Sequence, residues 1–186
     1  MTSVIRFSDT NQWHEILVFL HQGKKIIIIA GLIYDDSMID ELVAEFDLSD
    51  GEKESVSNAI NSLTSEVNSA ELLVIVQDYP SYIEFVEDQT PDLCLAAVKE
   101  YGMMVKYVHN QTPEICIEAV KNDPWAYEFV CAEVRSEEVS IEAVKRNGFV
   151  VEMVEIQTST ICQEAVKQNP KAEMYVRDKT MLAQVA

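Results

Sequence analysis

From about residue 67 onward the chain repeats itself every 22 to 24 residues, and that period restricts the fold more than any other feature. Ala97-Val98-Lys99 returns as Ala119-Val120-Lys121, Ala143-Val144-Lys145 and Ala165-Val166-Lys167, at steps of 22, 24 and 22. A constant period of this length marks supersecondary units too thin to bury their own apolar face, which must stack on their neighbours. Helical-repeat stacks offer extended surfaces to other macromolecules, so the period also points toward binding.

Two further registers define each repeat. Asn68, Thr90, Thr112, Ser136, Thr158 and Thr180 fall in step, and each can cap a helix by accepting a free backbone N–H. Pro91 and Pro113 follow at the first helical position, where a missing N–H is harmless. Asp92, Glu114, Glu137 and Glu138 then occupy the first turn, the favourable end of the helix dipole. The second register, Pro80, Gly102, Pro124, Gly148 and Pro170, breaks that helix. Asp123-Pro124 and Asn169-Pro170 also read as a cap and first residue of a second helix. That helix, of about seven to nine residues, closes on Phe85-Val86, Tyr107-Val108, Phe129-Val130, Met153-Val154 and Tyr175-Val176. Each repeat is thus an αα-hairpin, with apolar residues such as Ile115, Cys116, Ala119 and Val120 forming one stripe. Two extra residues within 131–135 produce the longer step, and Thr180 would open a truncated sixth helix.

Residues 1–66 do not follow the period. Ser3 to Phe7 suits a strand, Thr10 to Gln22 has helical spacing in Trp13, Ile16, Leu17 and Leu20, and Lys25 to Ile33 is β-rich with a helix as the alternative. Asp36 to Phe46 reads as an acidic amphipathic helix, Ser49-Asp50-Gly51 as punctuation, and Glu52 to Val67 as another helix. The expected fold is mainly α: an α-solenoid of about five helical hairpins over 67–186, with a small N-terminal cap over 1–66 that is α-rich or, alternatively, α/β.

Charge narrows the function classes. The chain carries 32 acidic and 14 basic residues, a formal charge of -18. Direct nucleic-acid binding is disfavoured, because it needs Lys and Arg to displace counterions, and so is an anionic membrane surface. A basic protein partner is favoured, with solubility alone as the plainer reading of the charge. The apolar run Ile26 to Ile33 is too short to span a bilayer, which takes roughly 20 residues. It also makes a poor signal peptide, and a reducing cytoplasm, of the producing cell or of a host cell, is expected.

Candidate chemistry is sparse. Cys94, Cys116 and Cys162 share one repeat column, filled by Ser140 in the fourth repeat. Packed helices lie roughly 8–10 Å apart, too far for disulfides, and zinc-ligand spacing is absent. These are buried core thiols, and Cys131 alone merits a test of reactivity. His14 and His21 could share a helix face, but spacing marks no catalytic partner for them or for His109. Asp47 to Glu52 fails as a calcium loop, since Phe46 stands where the first ligand belongs. No cofactor, metal or catalytic residue is expected. Lys99, Lys121, Lys145 and Lys167 form a ladder with Glu118, Glu142 and Glu164, read as a solvated salt-bridged face or, more sharply, a ligand-reading one. The candidate partner-binding residues are Asp35, Asp36, Asp40, Glu41, Glu45, Asp47, Asp50 and Glu52 in an acidic stretch, together with Trp125 and Tyr127; Phe129 belongs to a core column.

Gln89-Thr90-Pro91-Asp92-Leu93-Cys94 and Gln111-Thr112-Pro113-Glu114-Ile115-Cys116, each leading to Ala-Val-Lys and then Gly or Pro, carry a family resemblance. With Gln157-Thr158 and Ile161-Cys162, they resemble the tandem short-helix repeats of an uncharacterised domain family abundant in giant-virus and some bacterial proteins, including intracellular bacteria. The resemblance spans roughly 67–186, departs at Ile75-Val76-Gln77, and brings no activity to transfer. The expected function is a non-enzymatic acidic protein-binding adaptor, effector or inhibitor. An acidic nucleic-acid mimic that blocks a DNA- or RNA-binding defence enzyme, such as a restriction or CRISPR effector, is one alternative. An enzyme or ligand-binding protein with an N-terminal site beside His14 or His21 is another.

Overall fold

The computed structural model describes residues 3–9, 12–29, 32–35, 50–62 and 67–183. The chain divides into two compact domains, Met1–Leu72 and Leu73–Ala186.

The N-terminal domain is built on an antiparallel meander of β1 (Ser3–Asp9), β2 (Gln12–His21), β3 (Lys24–Ile29) and β4 (Leu32–Asp35) in the order β1-β2-β3-β4. Gln12–His21, within the stretch expected to be helical, is therefore strand, although its apolar spacing also fits a helix. The deciding residues lie next door: Gln22 (φ 52) and Gly23 (φ 74) both adopt positive φ, the requirement of a tight two-residue hairpin turn. That turn sets Phe19 opposite Ile26 and Leu17 opposite Ile28. In β3, Ile26, Ile27, Ile28 and Ile29 are all buried, so an inner strand with both faces covered replaces alternation by a continuous apolar run. Helix α1 (Asp50–Ser62) packs on β1 and β2 through a face that includes buried Val56. Asp50 and Gly51 sit in its first turn rather than ahead of it. The domain thus combines sheet and helix, and the α-rich version of the cap is corrected.

In the repeat region, ten-residue helices α2 (Ser69–Asp78), α3 (Pro91–Glu100), α4 (Pro113–Asn122), α5 (Glu137–Arg146) and α6 (Ser159–Gln168) recur as the registers require. Thr90, Thr112, Ser136 and Thr158 each accept the backbone N–H three residues on, as caps should. Asn68 accepts from Ala70 and Glu71 while the Glu71 carboxylate accepts from the Asn68 N–H, a reciprocal cap. Thr180 departs from the series: Asp178 caps the short 3₁₀ turn Lys179–Leu182 and accepts from the Thr180 N–H.

The second element of each repeat is not an α-helix of seven to nine residues but a six-residue 3₁₀ segment: Pro80–Phe85, Gly102–Tyr107, Pro124–Phe129, Gly148–Met153 and Pro170–Tyr175. Three-fold winding superimposes its fourth residue and the valine that follows, so Val105 with Val108 and Val151 with Val154 bury together. The aromatic or Met before that valine is displaced from the core. Phe85 is 48% exposed, and Tyr107, Phe129, Met153 and Tyr175 are half-buried, so this column is no core column. Within the six-residue segment the third position, Tyr82, Met104, Ala126, Val150 and Ala172, is the one buried in every repeat.

Consecutive helices α3, α4, α5 and α6 pack on one another in chain order, as do the 3₁₀ segments of neighbouring repeats. Ala97, Ala119, Ala143 and Ala165 have no exposed surface, and their small side chains permit close helix approach. The third repeat, longer by two residues, carries an extra 3₁₀ turn, Ala132–Val134.

Candidate functional site

A glutamine at the end of a repeat bonds peptide groups of two neighbouring 3₁₀ segments. Gln111 donates its amide N–H groups to Val105 O (3.0 Å) in its own repeat and Phe129 O (2.9 Å) in the next. Its Oε1 accepts the Cys131 backbone N–H at 2.8 Å and faces the Cys116 Sγ at 3.7 Å. Gln89 does the same with Ile83 O, Tyr107 O, the His109 N–H and Cys94 Sγ, and Gln157 with Val151 O, Tyr175 O and the Arg177 N–H. One carboxamide thus ties two repeats through three backbone groups. Cys94 and Cys116 are accordingly buried thiols aimed at the amide oxygen, and burial pushes the Cys116 thiol up to about 11.

A second staple alternates. Gly102 N–H donates to Asn122 Oδ1 at 2.7 Å while Asn122 Nδ2 donates to Lys99 O at 2.7 Å. Gly148 N–H donates to Gln168 Oε1 at 2.7 Å, and Gln168 Nε2 to Arg146 O at 3.2 Å. These bonds join the second repeat to the third and the fourth to the fifth. Pro80 and Pro124, at the same position in the first and third repeats, have no N–H to offer. Glu100 and Arg146 accordingly stand where Asn122 and Gln168 stand in the other two. The alternation of Pro and Gly along the chain therefore encodes pairs of repeats.

The junction between the third and fourth repeats lacks both staples. Arg135 takes the glutamine's place and bonds only within the third repeat, through Nε to Val130 O (2.9 Å) and Nη2 to Glu128 O (3.0 Å). Its guanidinium lies 5.2 Å from the Tyr127 ring centre, within cation–π range. Ser140, in the thiol column, bonds Ser136 O and the Tyr127 hydroxyl, both at 2.9 Å. A cleft of about 290 Å³ opens here, lined by Tyr127, Arg135, Glu137, Ser140, Glu155 and Ile156 among others. The equivalent cleft between the first and second repeats, about 360 Å³, contains Gln89.

The sequence-derived partner residues disperse. Asp36, Asp40, Glu41, Glu45 and Asp47 lie outside the described residues, as does the helix expected over 36–46. Asp35 ends β4, and Asp50 and Glu52 sit in the first turn of α1, where Asp50 meets Lys53 at 3.5 Å. Trp125 projects, 47% exposed. Tyr127 does not: it is 1% exposed, held inside by its hydroxyl bond to Ser140. His14 and His21 lie on β2, not on a shared helix face, and His21 is buried. Cys131 is exposed. Lys121, Lys145 and Lys167 bond Glu118, Glu142 and Glu164 at 2.8, 3.4 and 3.3 Å, whereas Lys99 has Ala96 three positions earlier. The Glu118 hydrogen bond raises the Lys121 pKa. Among the described residues, no three His, Cys, Asp or Glu side chains converge on a metal position, and no helix is long and apolar enough to cross a membrane.

Sequence reasoning missed the staples. Their signal was visible as Gln before the capping Thr, interrupted by Arg135 at the one irregular step, and as Asn122 and Gln168 in the repeats that follow a Gly.

A family model described as a domain of unknown function (DUF4116) matches residues 90–135, the second and third repeats together. The match begins at the Thr90 cap and ends at Arg135, so it spans one stapled pair of the kind described above. No curated protein and no solved structure matches the chain.

Proposed function

We propose that the chain is a non-enzymatic protein-binding module, an acidic α-solenoid that acts as an adaptor, effector or inhibitor toward a partner with a basic surface. The row of part-exposed apolar side chains along the 3₁₀ segments carries this reading. Phe85, Tyr107, Phe129, Met153 and Tyr175 recur at one position, and Trp125, Met103 and Phe149 at another. Between them run exposed Glu84, Glu128 and Glu152. Aromatic anchors ringed by charge are the composition of a protein-binding hot spot. The formal charge of -18 favours a basic partner and fast association that salt weakens. Kinship with the short-helix repeats of giant-virus and bacterial proteins, and a cytoplasmic setting in the producing or host cell, belong to the same reading.

The test is affinity capture with the full chain, followed by measurement of the captured partner against Trp125→Ala and against charge reversal at Asp50 and Glu52. The reading expects a basic protein whose binding weakens at least tenfold between about 0.05 and 0.5 M salt and with the Trp125 variant. Salt-insensitive binding that survives Trp125→Ala would overturn it. The nucleic-acid mimic is the reading to take up if DNA or RNA competes for the same partner surface.

A further inference from the structure

Cations within the chain show what its aromatic rings attract. Lys106 Nζ lies 4.4 Å from the centre of the Tyr107 ring, and the Arg135 guanidinium 5.2 Å from that of Tyr127. Other rings take one another as partners: Tyr82 stacks on Phe85 at 6.1 Å, and Phe149 meets Tyr175 edge to face at 5.9 Å. Trp125 is 47% exposed and has neither a ring nor a cation on it among the described residues. Indole is nonetheless the aromatic face that attracts a cation most strongly. Pro124 opens its segment, and the Asp123 carboxylate accepts the Trp125 N–H at 2.9 Å, so the ring stands on an ordered element.

Charge on that face is also left over. Three residues per turn put Glu128 on the same edge of its 3₁₀ segment as Trp125, and Glu152 on the same edge of the next segment as Phe149. The two segments pack against each other. Both glutamates are exposed, and neither pairs with a cation among the described residues. The nearby cations are engaged: Arg135 donates to the Glu128 carbonyl oxygen, and Lys106 stands over Tyr107. Glu118, Glu142 and Glu164 on the helical face, by contrast, each hold a lysine.

We infer that this face binds an arginine side chain of the basic partner, whose guanidinium lies on the Trp125 indole and donates its N–H fork to the carboxylate of Glu128 or Glu152. The site deepens the protein-binding reading above and rests on it. Arginine fits better than lysine because its plane stacks on an aromatic face, its fork matches a carboxylate, and it is more weakly hydrated than an ammonium.

The probe is the acetylated and amidated peptide Ala-Arg-Ala-Arg-Ala, titrated into the full ¹⁵N-labelled chain at low salt. The Trp125 indole N–H resonance, identified by its loss in Trp125→Leu, should shift saturably. Citrulline in place of arginine keeps the shape without the charge and should abolish the shift. Lysine in place of arginine should weaken binding about threefold, and Trp125→Leu, followed at the Glu128 and Glu152 backbone resonances, should do the same, the size of an exposed cation–π contact. Glu128→Gln with Glu152→Gln should weaken binding more than Glu118→Gln with Glu164→Gln, which removes equal charge from the lysine-paired face. Equal losses in those two double variants overturn the site, since net charge alone would then attract the peptide. Equal affinities for the arginine and lysine or citrulline peptides, or an unmoved Trp125 resonance, overturn it too. Each of these results bears on the arginine site alone, whereas the protein-binding reading is decided by how a captured partner responds to salt and to Trp125→Ala.

Discussion

Single residues here do work that composition does not announce. Gly102 is required because a Cβ would lie 2.4 Å from Ala119 O and 2.9 Å from Asp123 N, backbone atoms that cannot step aside. Gly51, by contrast, sits in a helix with nothing within 4 Å of such a Cβ. Gly102→Ala should therefore destabilise the chain by about 1–3 kcal/mol through overpacking, while Gly51→Ala should stabilise it by about 0.5 kcal/mol through helix propensity; urea denaturation checks both. The thiols divide as sharply. Cys131 is exposed and should react alone with a thiol reagent in the native protein, with Cys94, Cys116 and Cys162 reacting only on unfolding. Burial raises Cys116 from the ordinary 9.0 to about 11, so in that window the folded state keeps a proton that the unfolded state has lost. Stability should fall as pH rises from 9.0 toward about 11, and Cys116→Ala should flatten that slope in urea midpoints taken across the range.

At the scale of the element, a six-residue 3₁₀ segment is too short to hold itself in water and too regular to be a loop. At three of the four junctions a glutamine helps to hold it, bonding peptide groups from two segments at once. Gln111→Leu keeps the apolar stem and removes the amide, leaving Phe129 O and the Cys131 N–H without their partner and Val105 O with the Val108 N–H alone. A net hydrogen bond contributes about 1 kcal/mol and a stranded buried group loses more, so the change should destabilise the repeat domain by about 2–4 kcal/mol. Removing the Lys121–Glu118 pair on the exposed face should leave the urea midpoint unmoved, since surface pairs contribute little. The starts of α2 to α6 were legible because a cap is local: the capping side chain, and at α3 and α4 the Pro and acid that follow it, meet their partners within one turn, whereas Thr180 opens no such helix. The 3₁₀ character was not, because α and 3₁₀ winding bury similar residue types and differ in which carbonyls remain open to a neighbouring repeat.

For the whole molecule, charge and pairing set the behaviour. The formal charge of -18 leaves acidic residues in excess over the chain as a whole, although cations balance them in the second repeat and exceed them in the fifth. Screening should relieve that repulsion, so the melting temperature should rise on going from about 0.02 to 0.5 M sodium chloride, read by circular dichroism. A falling or flat response would mean that the ion pairs outweigh the repulsion. The stapled pairs, second with third repeat and fourth with fifth, meet at the one junction where neither amide crosses. The family match over 90–135 ends at that same junction.

The repeat period, the caps and the apolar stripe are properties of neighbours in the chain, and the sequence alone determined them because each depends on interactions within a turn or two. The tertiary structure decided what depends on distant partners. It turned the Trp13 to Leu20 stretch into strand, since β3 lay across a two-residue turn. It buried Tyr127 against Ser140, moved the aromatic column outward, and turned Arg135 back onto its own repeat where a glutamine crosses to the next one elsewhere. Each of those outcomes needs a hydrogen-bond partner or packing surface from a separate element, and periodicity carries no record of which element that is.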